Sequence, residues 1–124
     1  MDLVIVGSMG YDDIETPVAT GSDILGGSAV HAGVSASFHL PKTPEGICRV
    51  GMVAPVGLDF SDAHQRKLED LGIDFSGVAK LPGKTFRWSG RYSGSMDNVE
   101  TISTEVNVLG DFSPEIPDQW SCLL

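Results

Sequence analysis

Two groups of residues in the first third of the sequence have side chains and spacings suited to binding a polar ligand. The first is Gly7-Ser8-Met9-Gly10-Tyr11-Asp12-Asp13, directly behind the apolar run Leu3-Val4-Ile5-Val6. A carboxylate just past the C-terminal end of a parallel strand stands where α/β folds bind ligands, and ionised Asp12 can accept hydrogen bonds from two adjacent hydroxyls. The local sequence equally suits a solvated turn at Asp12 and Asp13. The second group is Gly26-Gly27-Ser28-Ala29-Val30-His31-Ala32-Gly33. Two glycines at a loop-to-helix junction let the backbone approach a ligand closely, and free N–H groups of the first helical turn can donate to its oxygens. A plain tight turn is the alternative there.

Other reactive side chains form no such group. Gly83-Lys84-Thr85 echoes the end of a phosphate-binding loop, but Gly77 is one residue too far upstream and a period-two segment follows where that motif requires a helix. A Pro-Gly turn opening a strand explains it. His64 has no Cys, His or carboxylate motif beside it and reads as a semi-exposed helix residue without a metal or catalytic role. Cys48 reads as a small buried hydrophobe and Cys122 as part of a frayed end. No metal site is expected.

The 124 residues carry 8 basic and 17 acidic side chains, a formal charge of −9, and the first basic residue is Lys42. Such a balance repels phosphate backbones and anionic lipid surfaces, so nucleic acid and membranes are not expected partners. No apolar run approaches the roughly 20 residues of a membrane span, and two unpaired cysteines with no signal-like start point to the cytoplasm.

The elements that must position these residues are legible from periodicity. Leu3 to Val6 reads as a central parallel strand buried on both faces. Ala29 to Phe38 is small or apolar at helical spacing and stops at Pro41, and Val50 to Val56 is a second apolar strand, which together give a βαβ crossover. Ser61, Asp62 and Gly72 punctuate another helix, with Leu68 and Leu71 on its stripe. After Ile73 the rhythm turns to period two. Phe86, Trp88, Gly90 and Tyr92 share one face of a half-buried strand, and Thr101 to Leu109 alternates as its antiparallel partner. Residues 12–25 are extended and turn-rich and suit the same small sheet.

These segments, in this order, resemble the N-terminal portion of the PfkB-type, ribokinase-like carbohydrate kinase family. The resemblance rests on the opening strand into Gly7-Ser8 with Asp12 following, Asp23-Ile24-Leu25-Gly26-Gly27-Ser28-Ala29, Val56-Gly57-Leu58-Asp59-Phe60, Leu71-Gly72-Ile73, and Gly83 to Tyr92 with Asn107-Val108 downstream. It runs from Leu3 to about Trp120. It implies an α/β fold with a doubly wound sheet and a small β lid, truncated before the C-terminal half: core elements at about 1–11, 26–80 and 112–124, lid elements at about 12–25 and 84–110. It also implies ATP-dependent phosphorylation of a sugar hydroxyl, with Asp12, Gly26, Gly27, Ser28 and His31 at substrate-binding positions and Phe86 and Trp88 on the lid.

Ribokinases carry Asn, Lys and Asn where this chain has Gly10, Ser28 and His31, so a ribose-specific set of hydrogen bonds is not reproduced. Family members are typically more than twice as long, and their catalytic aspartate and the groups that bind ATP and Mg come from the C-terminal half. The expectation is therefore a kinase fragment, inactive alone. The alternatives are a non-catalytic sugar-binding or lid-dimerising module and a nucleoside kinase of the same superfamily. A sugar or nucleoside, and a second copy bound through the lid, are the expected partners.

Overall fold

A computed structural model describes residues 1–45 and 49–123, and not the side chains of 121–123. Cys48 and the Cys122 side chain therefore lie outside the described residues. None of the described helices is long and apolar enough to cross a membrane.

Two sheets share the chain. The first is parallel, in the order β1 (Leu3–Val6), β4 (Val50–Val56), β5 (Ile73–Lys80). Branched apolar side chains make β4 the centre: all seven of its residues are buried. Met52, Ala54 and Val56 point to a core shared with Ala29 and Val30 of α1 (Ser28–His39) and Leu68 of α2 (Asp62–Asp70), so both helices cover the same face. On the opposite face the indole of Trp120 lies against Gly51 and Gly77, filling space a side chain at either position would need.

Helix α2 follows its local signals. Ser61 caps it by accepting from the Ala63 N–H, Asp62 sits in the first turn, and Gly72 follows with φ of 87°. Helix α1 buries Ala29, Gly33 and Ser37, spaced four apart, together with Val30. Phe38 then falls off that stripe and is 73% exposed, contrary to the expected apolar face.

The second sheet has the order β3 (Thr20–Gly26), β2 (Gly10–Glu15), β6 (Phe86–Ser93), β7 (Asn98–Glu105). Its central pair, β2 and β6, is parallel, and the outer pairs are antiparallel. Residues 10–26 thus join the later strands, as their extended character suggests.

Three expectations need correction. β1 is not buried on both faces: among the described residues it pairs only with β4, and Val6 is 52% exposed because nothing described covers its other edge. Ile73–Lys80, not anticipated as a strand, is β5. Finally, the strand expected to reach Leu109 ends at Glu105 and is exposed throughout. Asn107, at φ of 51°, turns the chain into a short 3₁₀ helix, Asn107–Asp111. Its Nδ2 donates to the Thr85 carbonyl and the Val108 N–H donates to that of Lys84, so Val108 is buried against the core.

Trp120 is only 3% exposed and covers one sheet face. Truncating such a side chain leaves a cavity that costs about 3–5 kcal/mol, a large share of a typical domain's stability. Trp120→Ala is therefore expected to lower the urea midpoint sharply, and an unchanged midpoint would contradict this packing.

Candidate functional site

The site forms where the chain passes from β1 into β2 and returns from β3 into α1. Gly27 adopts φ of 103°, and a Cβ there would strike the Ser8 carbonyl. That close approach permits a reciprocal clasp. The Ser28 N–H donates to Ser8 Oγ at 3.0 Å, the Ser8 N–H donates to Ser28 Oγ at 3.1 Å, and the Ala29 N–H donates to the Ser8 carbonyl at 2.9 Å. The helix terminus expected to offer free N–H groups is thus partly filled: Ser8 takes the donors of Ser28 and Ala29. Ser28 serves the clasp, a role its exposed position in the sequence motif did not reveal.

Asp12 lies one strand away, on the face it shares with Gly10 and Ile14 of β2, Ile24 and Gly26 of β3, and Phe86, Trp88 and Gly90 of β6. Its carboxylate sits directly over Gly26, in space a side chain there would fill. Among the described residues no hydrogen bond reaches that carboxylate. Burial raises its pKa above the usual carboxylate value, the imidazole of exposed His31 works to lower it, and neighbouring Asp13 raises it further. The structure therefore brings Asp12, Gly26 and His31 together, with Gly27 and Ser28 forming the clasp behind them.

Phe86 is in register with Gly10, and its Cδ1 lies 2.7 Å from the position of a Cβ on Gly10. The ring closes the space that a residue-10 side chain would use. Trp88 is in register with Asp12, and its indole lies over Gly90 while Nε1 donates to Thr101 Oγ1 at 3.2 Å.

The opposite face is polar and ties the sheet together. Arg87 binds both oxygens of Asp13 at 2.9 Å and Asp23 Oδ1 at 2.6 Å, and Asp13 accepts from the Asp23 N–H. That N–H bond, then Arg87 and Ser89, hold the Asp13 carboxyl below its usual range despite some burial. The same charges raise Arg87, the Asp23 bond most of all.

Two anchors then join this sheet to the α/β layer. Tyr11 accepts from the Ser61 N–H at 2.9 Å and shares a 3.1 Å hydrogen bond with His64 Nδ1, packing on Phe60; burial leads the causes that raise its pKa. Thr85, 1% exposed, donates its N–H and hydroxyl to Asp59 and accepts from the Gly57 N–H. Burial pushes the Asp59 carboxyl up, but the Thr85 bonds outweigh it and hold the pKa low. Sequence reasoning missed Ser8, Tyr11, Asp59, Thr85 and Arg87 because their partners lie 20 to 74 positions away. The one available signal was the pattern of acids on β2 and arginines on β6, with Glu15 and Arg91 in register.

No family model and no curated protein matches the sequence. Among solved structures, the chain is similar to the nucleoside kinase of Methanocaldococcus jannaschii, described as an archaeal member of the ribokinase family. The TM-score is 0.69 at 16% identity, covering 95% of this chain and 42% of that one. Nucleoside kinase of Burkholderia thailandensis in complex with inosine gives 0.67 at 15%, over 88% and 38%. Ribokinase of Thermotoga maritima gives 0.61 at 19%, over 85% and 36%. The chain thus has the ribokinase-like α/β fold and spans about two fifths of the length of these proteins. The resemblance read from the motifs holds at the level of the fold.

A carboxylate whose pKa is raised by burial costs stability once ionised: the folded state keeps its advantage below the unfolded pKa, near 4, and loses it as pH rises through the folded value. Asp12→Asn is therefore expected to raise the thermal midpoint at pH 7 relative to the parent, with the gain disappearing below about pH 4. A lowered midpoint at pH 7 would mean that Asp12 supports the fold.

Proposed function

We propose that the chain is the substrate-side portion of a ribokinase-family kinase that phosphorylates a hydroxyl of a sugar or of a nucleoside's ribose. The observation that carries this reading is the Asp12 carboxylate, desolvated over Gly26 with no hydrogen-bond donor among the described residues. Adjacent hydroxyls supply the two donors it lacks, and charge-assisted bonds of this kind are the strong ones. His31, beside it, supplies a ring nitrogen for a further hydroxyl. The four-stranded sheet acts as a lid whose apolar face, with Phe86 and Trp88, excludes water from the bound sugar.

ATP and Mg are the family's cofactors, ATP supplying the phosphoryl group when bound. The described residues do not fit them: they contain no cluster of three metal-ligating side chains, and Ser8 occupies donors of the α1 terminus. No catalytic step is assigned to residues of this chain, which on its own is expected to form no ADP. Calorimetric titration with sugars and nucleosides tests the site. At least one should bind, and Asp12→Asn should weaken it by more than tenfold, the loss of roughly one charge-assisted hydrogen bond. Retained affinity in that variant would remove Asp12 from the site.

A second reading has its own support. Every residue of β7 is exposed, with Val99 and Ile102 about half so, and its outer edge pairs with nothing described. Apolar, unpaired edges seek partners, and a second copy of the lid would satisfy this one. Sedimentation should then show a dimer that Ile102→Lys converts to monomer; a monomeric parent chain at high micromolar concentration would exclude it.

A further inference from the structure

Tyr11 and Asp12 are neighbours on β2 whose side chains leave the strand on opposite faces, Asp12 over Gly26 and Tyr11 toward α2. Among the described residues, Tyr11 is the one side chain of β2 that hydrogen-bonds to the α/β layer; Asp13 and Glu15 bond within their own sheet. The partners of its hydroxyl therefore tie β2, and the Asp12 it carries, to the start of α2.

Tyr11 is buried, and its oxygen accepts from the Ser61 N–H at 2.9 Å. The phenol proton is then directed at its remaining partner, His64 Nδ1, 3.1 Å away. Nδ1 can accept it only in a neutral ring that carries its hydrogen on Nε2. Tyr11 has no third hydrogen-bond partner among the described residues. A proton on Nδ1 would set two hydrogens facing each other and leave the buried hydroxyl without an acceptor. Charged groups of both signs surround the pair. Arg87 of β6 lies 5.4 Å from the centre of the Tyr11 ring, Asp59 before α2 and Asp23 of β3 are close enough to act on Tyr11, and α2 itself carries Asp62 and Lys67. With both signs present, the hydrogen-bond requirement sets the direction: neutral His64 closes this latch and charged His64 opens it.

We infer that His64 is a positioning residue for the Asp12 site: its neutral imidazole, acting through Tyr11, holds β2 against the start of α2, and protonation releases it. The inference rests on the reading of Asp12 as the hydroxyl-binding group. Ligand affinity should then fall as pH drops through the ordinary histidine range, from about 8 to about 5, for a reason outside the ligand's own contacts.

His64→Asn isolates this effect, because an amide oxygen accepts from Tyr11 at every pH and the two residues have similar helix propensity. Thermal midpoints, and calorimetric titrations with D-ribose and inosine, are measured at about pH 7.5 and about pH 5.5 on the parent, His64→Asn and Tyr11→Phe. On going to the lower pH, the parent's midpoint should fall about 4 °C further than that of His64→Asn. Its ligand affinity should fall about tenfold further. Proton uptake by Asp12 or His31 is common to both proteins and cancels in the comparison. Tyr11→Phe should be weakened at both pH values, with no step beyond that of His64→Asn. Equal falls of midpoint in the parent and His64→Asn overturn the latch. A larger fall of midpoint with equal falls of affinity makes His64 a structural anchor only and overturns its positioning role. Binding of neither ligand by the parent at about pH 7.5 removes Asp12 from ligand binding and the positioning role with it, while the midpoints still decide whether the latch exists.

Discussion

The reciprocal hydrogen bonds between Ser8 and Ser28 are the constraint on which the rest of the site depends. They join two chain reversals 20 residues apart, and the Ala29 N–H on the Ser8 carbonyl makes a third link. Each bond adds only about 1 kcal/mol net, but leaving such donors unmet would cost more. The geometry works only because Gly27 tolerates positive φ and the contact with Ser8. With the clasp closed, β2 leaves and β3 arrives at a fixed separation. Gly10 then pairs with Gly26, and Asp12 is carried over Gly26.

The lid itself has little hydrophobic support: β7 is exposed, and Val18 and Ile24 face solvent. Its integrity comes instead from the Arg87–Asp13–Asp23 cluster and from the two anchors at Tyr11 and Thr85. Isolated surface ion pairs contribute little, but here one half-buried guanidinium bridges two strands and also lies 5.4 Å from the centre of the Tyr11 ring. The anchors act at the base of the sheet, through Ser61, His64 and Asp59. At the far end, β7 pairs only with β6 among the described residues, and the chain beyond it is tied back through Asn107 and Val108 to the carbonyls of Thr85 and Lys84.

Legibility in the sequence followed the range of the interactions involved. Helix α2 could be read because its cap, charge and stop are all local, and β4 because burial on both faces requires an unbroken apolar run. β5 escaped because Asp74, Ser76 and Gly77 interrupt its run; a side chain at Gly77 would strike the Met52 carbonyl and Val53 of β4 and crowd Trp120, contacts 24 to 43 positions away in the sequence. Asn107 escaped because its turn is fixed by the Thr85 carbonyl, not by neighbours. At the candidate site, Asp12 and Gly26-Gly27 stood out by residue type, and the structure brings Asp12 and Gly26 together. What could not be read was that Ser28 is spent on Ser8 and that Phe86 closes over Gly10, since both depend on strand register.

Asp12 and Asp13 show how one strand assigns opposite roles to adjacent identical residues. Alternation sends them to opposite faces of β2. Asp13 meets Arg87 and the Asp23 N–H, so its charge is welcome and its pKa falls. Asp12 meets Gly26, Ile24 and an aromatic neighbour, so its charge is disfavoured and its pKa rises. A sequence under selection for stability alone would replace a carboxylate held without donors in such a place, because an apolar or amide side chain would relieve the desolvation. Under the proposed function, the hydroxyls of a ligand would supply the donors that Asp12 lacks over Gly26 and offset that cost.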